Sequence, residues 1–346
     1  MIIGVLIGAI PGSITAVDKI KTKKAVKYTN QGAAYGNTGD HNNAIAEFNE
    51  AIKIDPKLAM AYNNRGLAYA NLGDHNKALA EFNEAINIHS SNVEAYYNRA
   101  LAYYNLGAYD KASADWEQAV SNVSDDNKKA EYYYLLANVY NRTNNYDKAI
   151  ANCTEVLKID PNIVKAYANR AFAYCNLGAY DKAFADCDWA LKIDDNSALA
   201  HNARGFVYCK RNDYSKAIVD YSQAIKIDPK YADAYRNRGD AYSKLGDYTS
   251  ALKYYDQALQ LKPDNIYVYY SRGLCNANLN EYAYAIEDYE RIIALKPEAV
   301  AAHYNLALFY ANLGDYKNAT KDARKACELG DCRVLEYLVK YNLLRD

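Results

Sequence analysis

Small and apolar residues recur along this chain at helical intervals. Between Ala59 and Ile88, Tyr62, Gly66 and Tyr69 fall three and four apart. Leu72-Gly73-Asp74 interrupts them, and Ala78, Phe82, Ala85 and Ile86 resume the period. The pattern predicts two amphipathic helices joined by a short turn, with Gly73 suited to the left-handed residue that ends a helix. It also repeats. AYNNRGLAYANLGDHNKALAEFNEAINI from Ala61, AYANRAFAYCNLGAYDKAFADCDWALKI from Ala166 and AYRNRGDAYSKLGDYTSALKYYDQALQL from Ala234 share Y-x-N-R-[GA]-x-A-Y, then L-G, then A-x3-[FYC]-x2-A. In this register the chain holds nine units of 34 residues, beginning at Ala25, Ala59, Val93, Ala130, Val164, Ala198, Ala232, Ile266 and Val300. The expected organisation is an apolar, then Lys-rich segment at 1–24, three units over 25–126 and an insertion at 127–129. Six units over 130–333 and a capping helix over 334–346 complete it.

Within a unit, the turn place is Gly in six copies and Asn in three (Asn144, Asn212, Asn280), both tolerant of positive φ. The eighth place is always Gly or Ala and the twentieth always Ala. Those are the expected sites of close approach between the two helices. The period also explains the composition. Tyr occurs 37 times against 6 Phe and 2 Trp, and 22 of those Tyr occupy the fourth, eleventh and seventeenth places.

The motif resembles the tetratricopeptide repeat signature, W-x2-L-G-x2-Y followed by A-x3-F and a late Pro at the same period, with Tyr standing for Trp and Arg mostly for Leu. The resemblance covers the array from 25 to 333. It implies an all-α fold, a right-handed superhelical solenoid of antiparallel helix pairs, with first helices lining a concave face. Helically spaced Leu335, Leu338, Val339 and Leu343 fit the solvating end cap such a solenoid needs. The resemblance further implies a non-catalytic interaction scaffold that takes one or more proteins as partners, through an extended peptide segment.

By the same analogy the second, fifth, sixth, ninth, twelfth and thirteenth places face the groove. The sixth is Asn in six units (Asn30, Asn64, Asn98, Asn169, Asn237, Asn305). So is the thirteenth (Asn37, Asn71, Asn105, Asn176, Asn278, Asn312). Seven residues apart, the two places share a helix face. A carboxamide offers both donor and acceptor, so a row of them could hold a peptide's main chain without reading its side chains. The competing account is a polar consensus residue copied by repeat duplication. Aromatic residues at groove places, Tyr97, Tyr104, Tyr134, Phe172, Phe206, Tyr267, Tyr270 and Tyr304, are either anchors for partner side chains or packing between neighbouring first helices. Charges at groove places are mixed. A clamp for a chaperone's C-terminal tail, which in the family uses Lys at the fifth place and Asn at the ninth, is not expected: only Arg236 is basic at the fifth and only Asn138 fits the ninth.

The seventh place is Arg in six units (Arg65, Arg99, Arg170, Arg204, Arg238, Arg272). Five of these units carry an acid sixteen residues on (Glu81, Asp115, Asp186, Asp220, Asp288), which predicts ion pairs inside the array. Arg238 has Tyr254 instead.

With net charge −1, no nucleic-acid partner is expected. No GxSxG, HExxH or Gly-rich phosphate loop occurs, no metal cluster is formed by the five His, and neither an enzyme nor a cofactor is expected. Seven Cys without a CxxC argue for a reducing compartment; Cys327 and Cys332 read as two residues of one helix. Residues 1–17 carry no charge and five Lys follow, so this segment reads as a weak membrane anchor, an export signal or a cap. A cytoplasm-facing array is the expectation, with export as the alternative. The second functional reading is an assembly scaffold that joins proteins through its convex face and edges, with membrane association as one form of it; a third is the regulatory module of a separately encoded enzyme.

Overall fold

The computed structural model describes residues 16–345, and the regular structure among them is entirely α-helical. The first part of the N-terminal segment, residues 1–15, lies outside the described residues. The chain divides into two compact units, Met1–Pro161 and Asn162–Asp346, at the end of the fourth repeat. The first holds α1 (Ala16–Asn37), α2 (His41–Ile54), α3 (Ala59–Asn71), α4 (His75–Ile88), α5 (Val93–Asn105), α6 (Tyr109–Asn122), α7 (Asp126–Arg142) and α8 (Tyr146–Ile159). The second holds α9 (Val164–Asn176), α10 (Tyr180–Ile193), α11 (Ala198–Lys210), α12 (Tyr214–Ile227), α13 (Ala232–Lys244), α14 (Tyr248–Leu261), α15 (Ile266–Asn278), α16 (Tyr282–Leu295), α17 (Val300–Asn312), α18 (Tyr316–Glu328) and α19 (Arg333–Lys340). Within each unit, odd and even helices pair in sequence. Each second helix also packs on the next first helix, so contacts run between neighbours, as in a solenoid. The three inserted residues lengthen α7 rather than forming a loop. Among the described residues no helix is long and apolar enough to cross a membrane.

All nine turn residues take positive φ: Gly39, Gly73, Gly107, Gly178, Gly246 and Gly314, with Asn144, Asn212 and Asn280 at 59° to 62°. In six repeats the side chain of the residue after the turn caps the second helix. Asp40, Asp74, Asn145, Asp213, Asp247 and Asp315 each accept a hydrogen bond from the backbone N–H three residues on.

The helix pairs close on one contact. The twentieth-place Ala are completely buried (Ala44, Ala78, Ala112, Ala149, Ala183, Ala217, Ala251, Ala285, Ala319). Beside them the eighth-place Gly lies under the twenty-fourth-place ring. A Cβ on Gly66 would stand 2.7 Å from Phe82 Cε1, and one on Gly205 or Gly239 would stand 2.7 Å from the ring of Tyr221 or Tyr255. Where the twenty-fourth residue is the smaller Cys187 or Ala323, the eighth place is Ala171 or Ala307 in the same cluster. Trp116, opposite Ala100, is the exception, and nothing in the structure explains it.

The expected ion pairs are all present. Arg65 meets Glu81 at 2.7 Å, Arg99 meets Asp115 at 2.6 Å, Arg170 meets Asp186 at 2.7 Å, Arg204 meets Asp220 at 2.8 Å and Arg272 meets Asp288 at 2.5 Å. Guanidinium groups also reach back to the preceding second helix: Arg65 to Asn49, Arg99 to Asn83, Arg204 to Asp188 and Arg272 to Asp256. One side chain thus joins three helices. Burial pushes the carboxyls of Asp186 and Asp288 up, and the facing arginines oppose that shift. Arg238 lies 4.1 Å from the Tyr254 ring centre instead, a cation–π contact in place of the ion pair.

Three outcomes follow. Gly66→Ala should lower stability by roughly 1–3 kcal/mol through overpacking, despite alanine's better helix propensity; in a Phe82→Cys background the same change should become neutral or stabilising. Urea midpoints of the four proteins test this. Arg272→Met strands Asp288, 1% exposed, and should cost about 3–5 kcal/mol, whereas Arg238→Met should cost about 1 kcal/mol; thermal melts compare them. Burial first, then the hydrogen bond to Glu290, pushes the Tyr310 phenol up to about 12, and burial also raises Tyr289. The folded state therefore holds these protons more tightly than the unfolded chain. The Tyr310 contribution is complete below pH 10 and is lost as pH rises from about 10 to 12, while that of Tyr289 starts to be lost above pH 10 and persists further. Circular dichroism and tyrosinate absorbance, followed together, should change in that window.

Candidate functional site

The first helices carry the residues of interest, and the eighth-place contact fixes how each is rotated. The thirteenth-place residues Asn37, Asn71, Asn105, Asn176, Asn278 and Asn312 are each the last residue of their helix. All are exposed except half-buried Asn176. Two of them close on their own helix: Asn176 Nδ2 donates to Phe172 O at 2.9 Å and Asn278 Nδ2 to Leu274 O at 2.8 Å. Asn37, Asn71 and Asn105 make no side-chain hydrogen bond among the described residues.

The sixth-place residues divide differently. Asn30 is exposed, Asn64, Asn98, Asn169 and Asn305 are half-buried, and Asn237 is buried. Asn98 Nδ2 donates to Asn63 Oδ1 at 3.0 Å, and Asn237 Nδ2 donates to Asn202 Oδ1 at 2.9 Å. Each is a bridge from one first helix to its predecessor, α5 to α3 and α13 to α11. Arg236 in turn donates to Asn237 Oδ1 at 2.8 Å, and Asn305 donates to Ala301 O on its own helix. Asn63 and Asn202 were not singled out in the sequence. Their signal was present as a constant separation of 35 residues from the asparagine they bridge, visible only once a pairing between successive first helices is imposed.

Most of the aromatic residues at these places meet neighbouring side chains of the array. Phe172 stacks on Phe206 between α9 and α11, with ring centres 5.0 Å apart. Tyr97 packs on Tyr132 at 5.1 Å and donates its hydroxyl to Glu131 at 3.0 Å; burial, then Glu131, pushes its phenol up to about 12. Tyr104 lies between Trp116 and the Arg142 guanidinium, Tyr270 packs on Tyr289, and Arg333 lies over Tyr304. Tyr134 is half-buried. Only Tyr267, 77% exposed, stands clear. Packing between neighbouring helices therefore accounts for most of these rings.

The carboxamides do come together around a crevice in the first unit. A cavity of about 190 Å³ between α1 and α3 has Asn37, Asn64 and Asn71 on its rim and Phe48 and Ala68 on its floor.

No group of three potential metal-ligating side chains occurs among the described residues. His201 and His303 stand at the fourth place and bond Asp220 and Asp322 at 3.0 and 2.8 Å, standing in for tyrosine. Cys327 and Cys332 do not share a helix, contrary to the sequence reading. Gly330, at φ 107°, ends α18 between them, Cys332 caps α19, and the two sulfurs form a disulfide. Cys153, Cys175, Cys187 and Cys275 are buried thiols, and burial raises the last three.

Tetratricopeptide repeat models match residues 93–126, 130–163, 152–185, 232–265 and 269–331, and a TPR repeat model matches 32–73, 69–107 and 207–246. Among solved structures, a tetratricopeptide repeat protein from Parabacteroides merdae is 18% identical over 83% of this chain and 99% of its own, at a TM-score of 0.52. Pseudomonas aeruginosa pilF is 18% identical over 62% of this chain and 99% of its own, at 0.53. At that identity the likeness concerns the fold alone. No curated protein matches the sequence significantly. Repeat period, positive-φ turns, paired helices and family matches agree: the chain belongs to the tetratricopeptide repeat family.

Proposed function

We propose that this member of a protein-interaction family binds an extended segment of a partner protein along its first-helix face, without catalysis. One observation supports the reading above the others. Exposed carboxamides end successive first helices α1, α3 and α5 at Asn37, Asn71 and Asn105, with their hydrogen-bonding capacity unspent. The arginines of α3 and α5, Arg65 and Arg99, are bound inside the array. What this face offers a ligand is therefore mainly neutral donor–acceptor pairs, and a peptide main chain is their complement. Where residues 1–17 insert in a membrane, Lys19, Lys21, Lys23, Lys24 and Lys27 after them place the array on the cytoplasmic side; the Cys327–Cys332 disulfide instead favours an oxidising compartment.

A second reading, assembly through the second helices, is favoured by Trp189, Val219 and Tyr284, exposed by 51%, 69% and 59% on α10, α12 and α16.

The triple change Asn37→Ala, Asn71→Ala, Asn105→Ala touches exposed positions and should leave the circular dichroism spectrum unchanged. At about 1 kcal/mol per lost hydrogen bond, it should weaken partner binding roughly 100-fold. Affinity capture with wild type and triple variant side by side reads this out. Partners that survive the triple change but are lost with Trp189→Ala and Val219→Asp would move the function to the second helices.

A further inference from the structure

The crevice between α1 and α3 sets several unspent carboxamides around an apolar floor. Its rim asparagines, Asn37, Asn64 and Asn71, keep amide N–H groups that no described residue accepts; Asn64 accepts from Asn63 through its Oδ1 and so leaves its own donors unspent. Elsewhere the carboxamides of Asn98, Asn176, Asn237, Asn278 and Asn305 are spent on neighbouring helices or on their own. The floor is apolar: Phe48 and Ala68 are 2% and 4% exposed, while Leu67 on the wall is 41% exposed. His41 also lines the crevice, its Nδ1 buried and without a hydrogen-bond partner among the described residues; no Asp, Glu, Lys or Arg does.

Asn64 and Asn71 are seven residues apart on α3, a rise of about 10.5 Å. Three residues of extended peptide cover nearly the same distance, at about 3.3 Å each. Leu67 and the apolar floor lie between these two points. The volume, about 190 Å³, suits one side chain of leucine or phenylalanine size, since an apolar cavity of about 150 Å³ accommodates benzene. A lysine or arginine side chain would be desolvated there with no carboxylate to pair with it.

We propose that this crevice is a specificity pocket. It receives one uncharged aliphatic or aromatic side chain of an extended partner peptide, while Asn64 and Asn71 hold the peptide main chain on either side. The inference rests on the first-helix reading above and adds the class of residue selected and its place in the chain.

The test is selection of a random dodecapeptide display library on the full-length protein, followed by titration of the enriched peptides. The enriched set should share one aliphatic or aromatic position. Leu67→Glu, which brings a charge to the exposed wall, should weaken binding at least 10-fold. Ala33→Leu, which fills the crevice from α1, is a second and chemically different block with the same expected loss. Circular dichroism checks the fold of both. Peptides that are weakened by the Asn37, Asn71 and Asn105 triple change but not by Leu67→Glu or Ala33→Leu would overturn the pocket and leave the first-helix reading standing. Failure to enrich any peptide, or peptides indifferent to all these variants, would overturn both.

Discussion

The architecture depends on how closely two helices can approach at one point in each repeat. Ala at the twentieth place and Gly or Ala at the eighth let the second helix lay its twenty-fourth side chain against the backbone of the first. Where that side chain is Phe48, Phe82, Tyr221, Tyr255 or Tyr289, the eighth place is glycine, because a Cβ would stand well inside contact distance of the ring. The usual helix penalty of glycine, about 1 kcal/mol, is offset by burial of an aromatic ring. This contact rotates each first helix about its axis. It thereby decides that the sixth and thirteenth places point away from the partner helix.

The arginines then tie pairs into an array. A guanidinium carries five donors in a rigid fork, enough to serve its own second helix and the preceding one together. Arg272 does so with Asp288 and Asp256, and Arg99 with Asp115 and Asn83. Six arginines stacked at one place in a groove-forming repeat would otherwise make a strongly basic surface. Because their charge is consumed internally, the first-helix face of the first unit is governed by carboxamides and apolar contact. The rings at groove places are consumed in a similar way: Phe172 on Phe206 and Tyr97 on Tyr132 hold neighbouring first helices together.

Much of this was legible in the sequence, for a physical reason. A turn residue with positive φ admits little but Gly or Asn, so its identity marks its position. The ion-pair partners sit a constant sixteen residues apart, because both ends lie within one repeat and repeat geometry is the same each time. Arg238 was identifiable as an exception from Tyr254 alone. The fate of each asparagine was not legible. Asn98 and Asn305 occupy the same place in the motif, yet one bridges to Asn63 and the other turns back to Ala301. The choice depends on what the preceding repeat presents at its fifth place, Asn63 in one case and Tyr270 in the other. The cysteines misled for a related reason. Five residues apart on one helix, Cys327 and Cys332 would lie on different faces, but Gly330 ends the helix between them and brings them together.

The sequence by itself determined the repeat, its helices and turns, the small residues at the helix crossing and the internal ion pairs. All of these are local, set by residues within one 34-residue period and enforced by backbone sterics or by a fixed separation. Tertiary structure alone decided which polar groups remain available. A carboxamide is spent or unspent according to its neighbour on another helix, and that neighbour is identified only when the repeats stack. The crevice at Asn37, Asn64 and Asn71 exists for the same reason: α1 and α3 enclose it together, and neither repeat contains it alone.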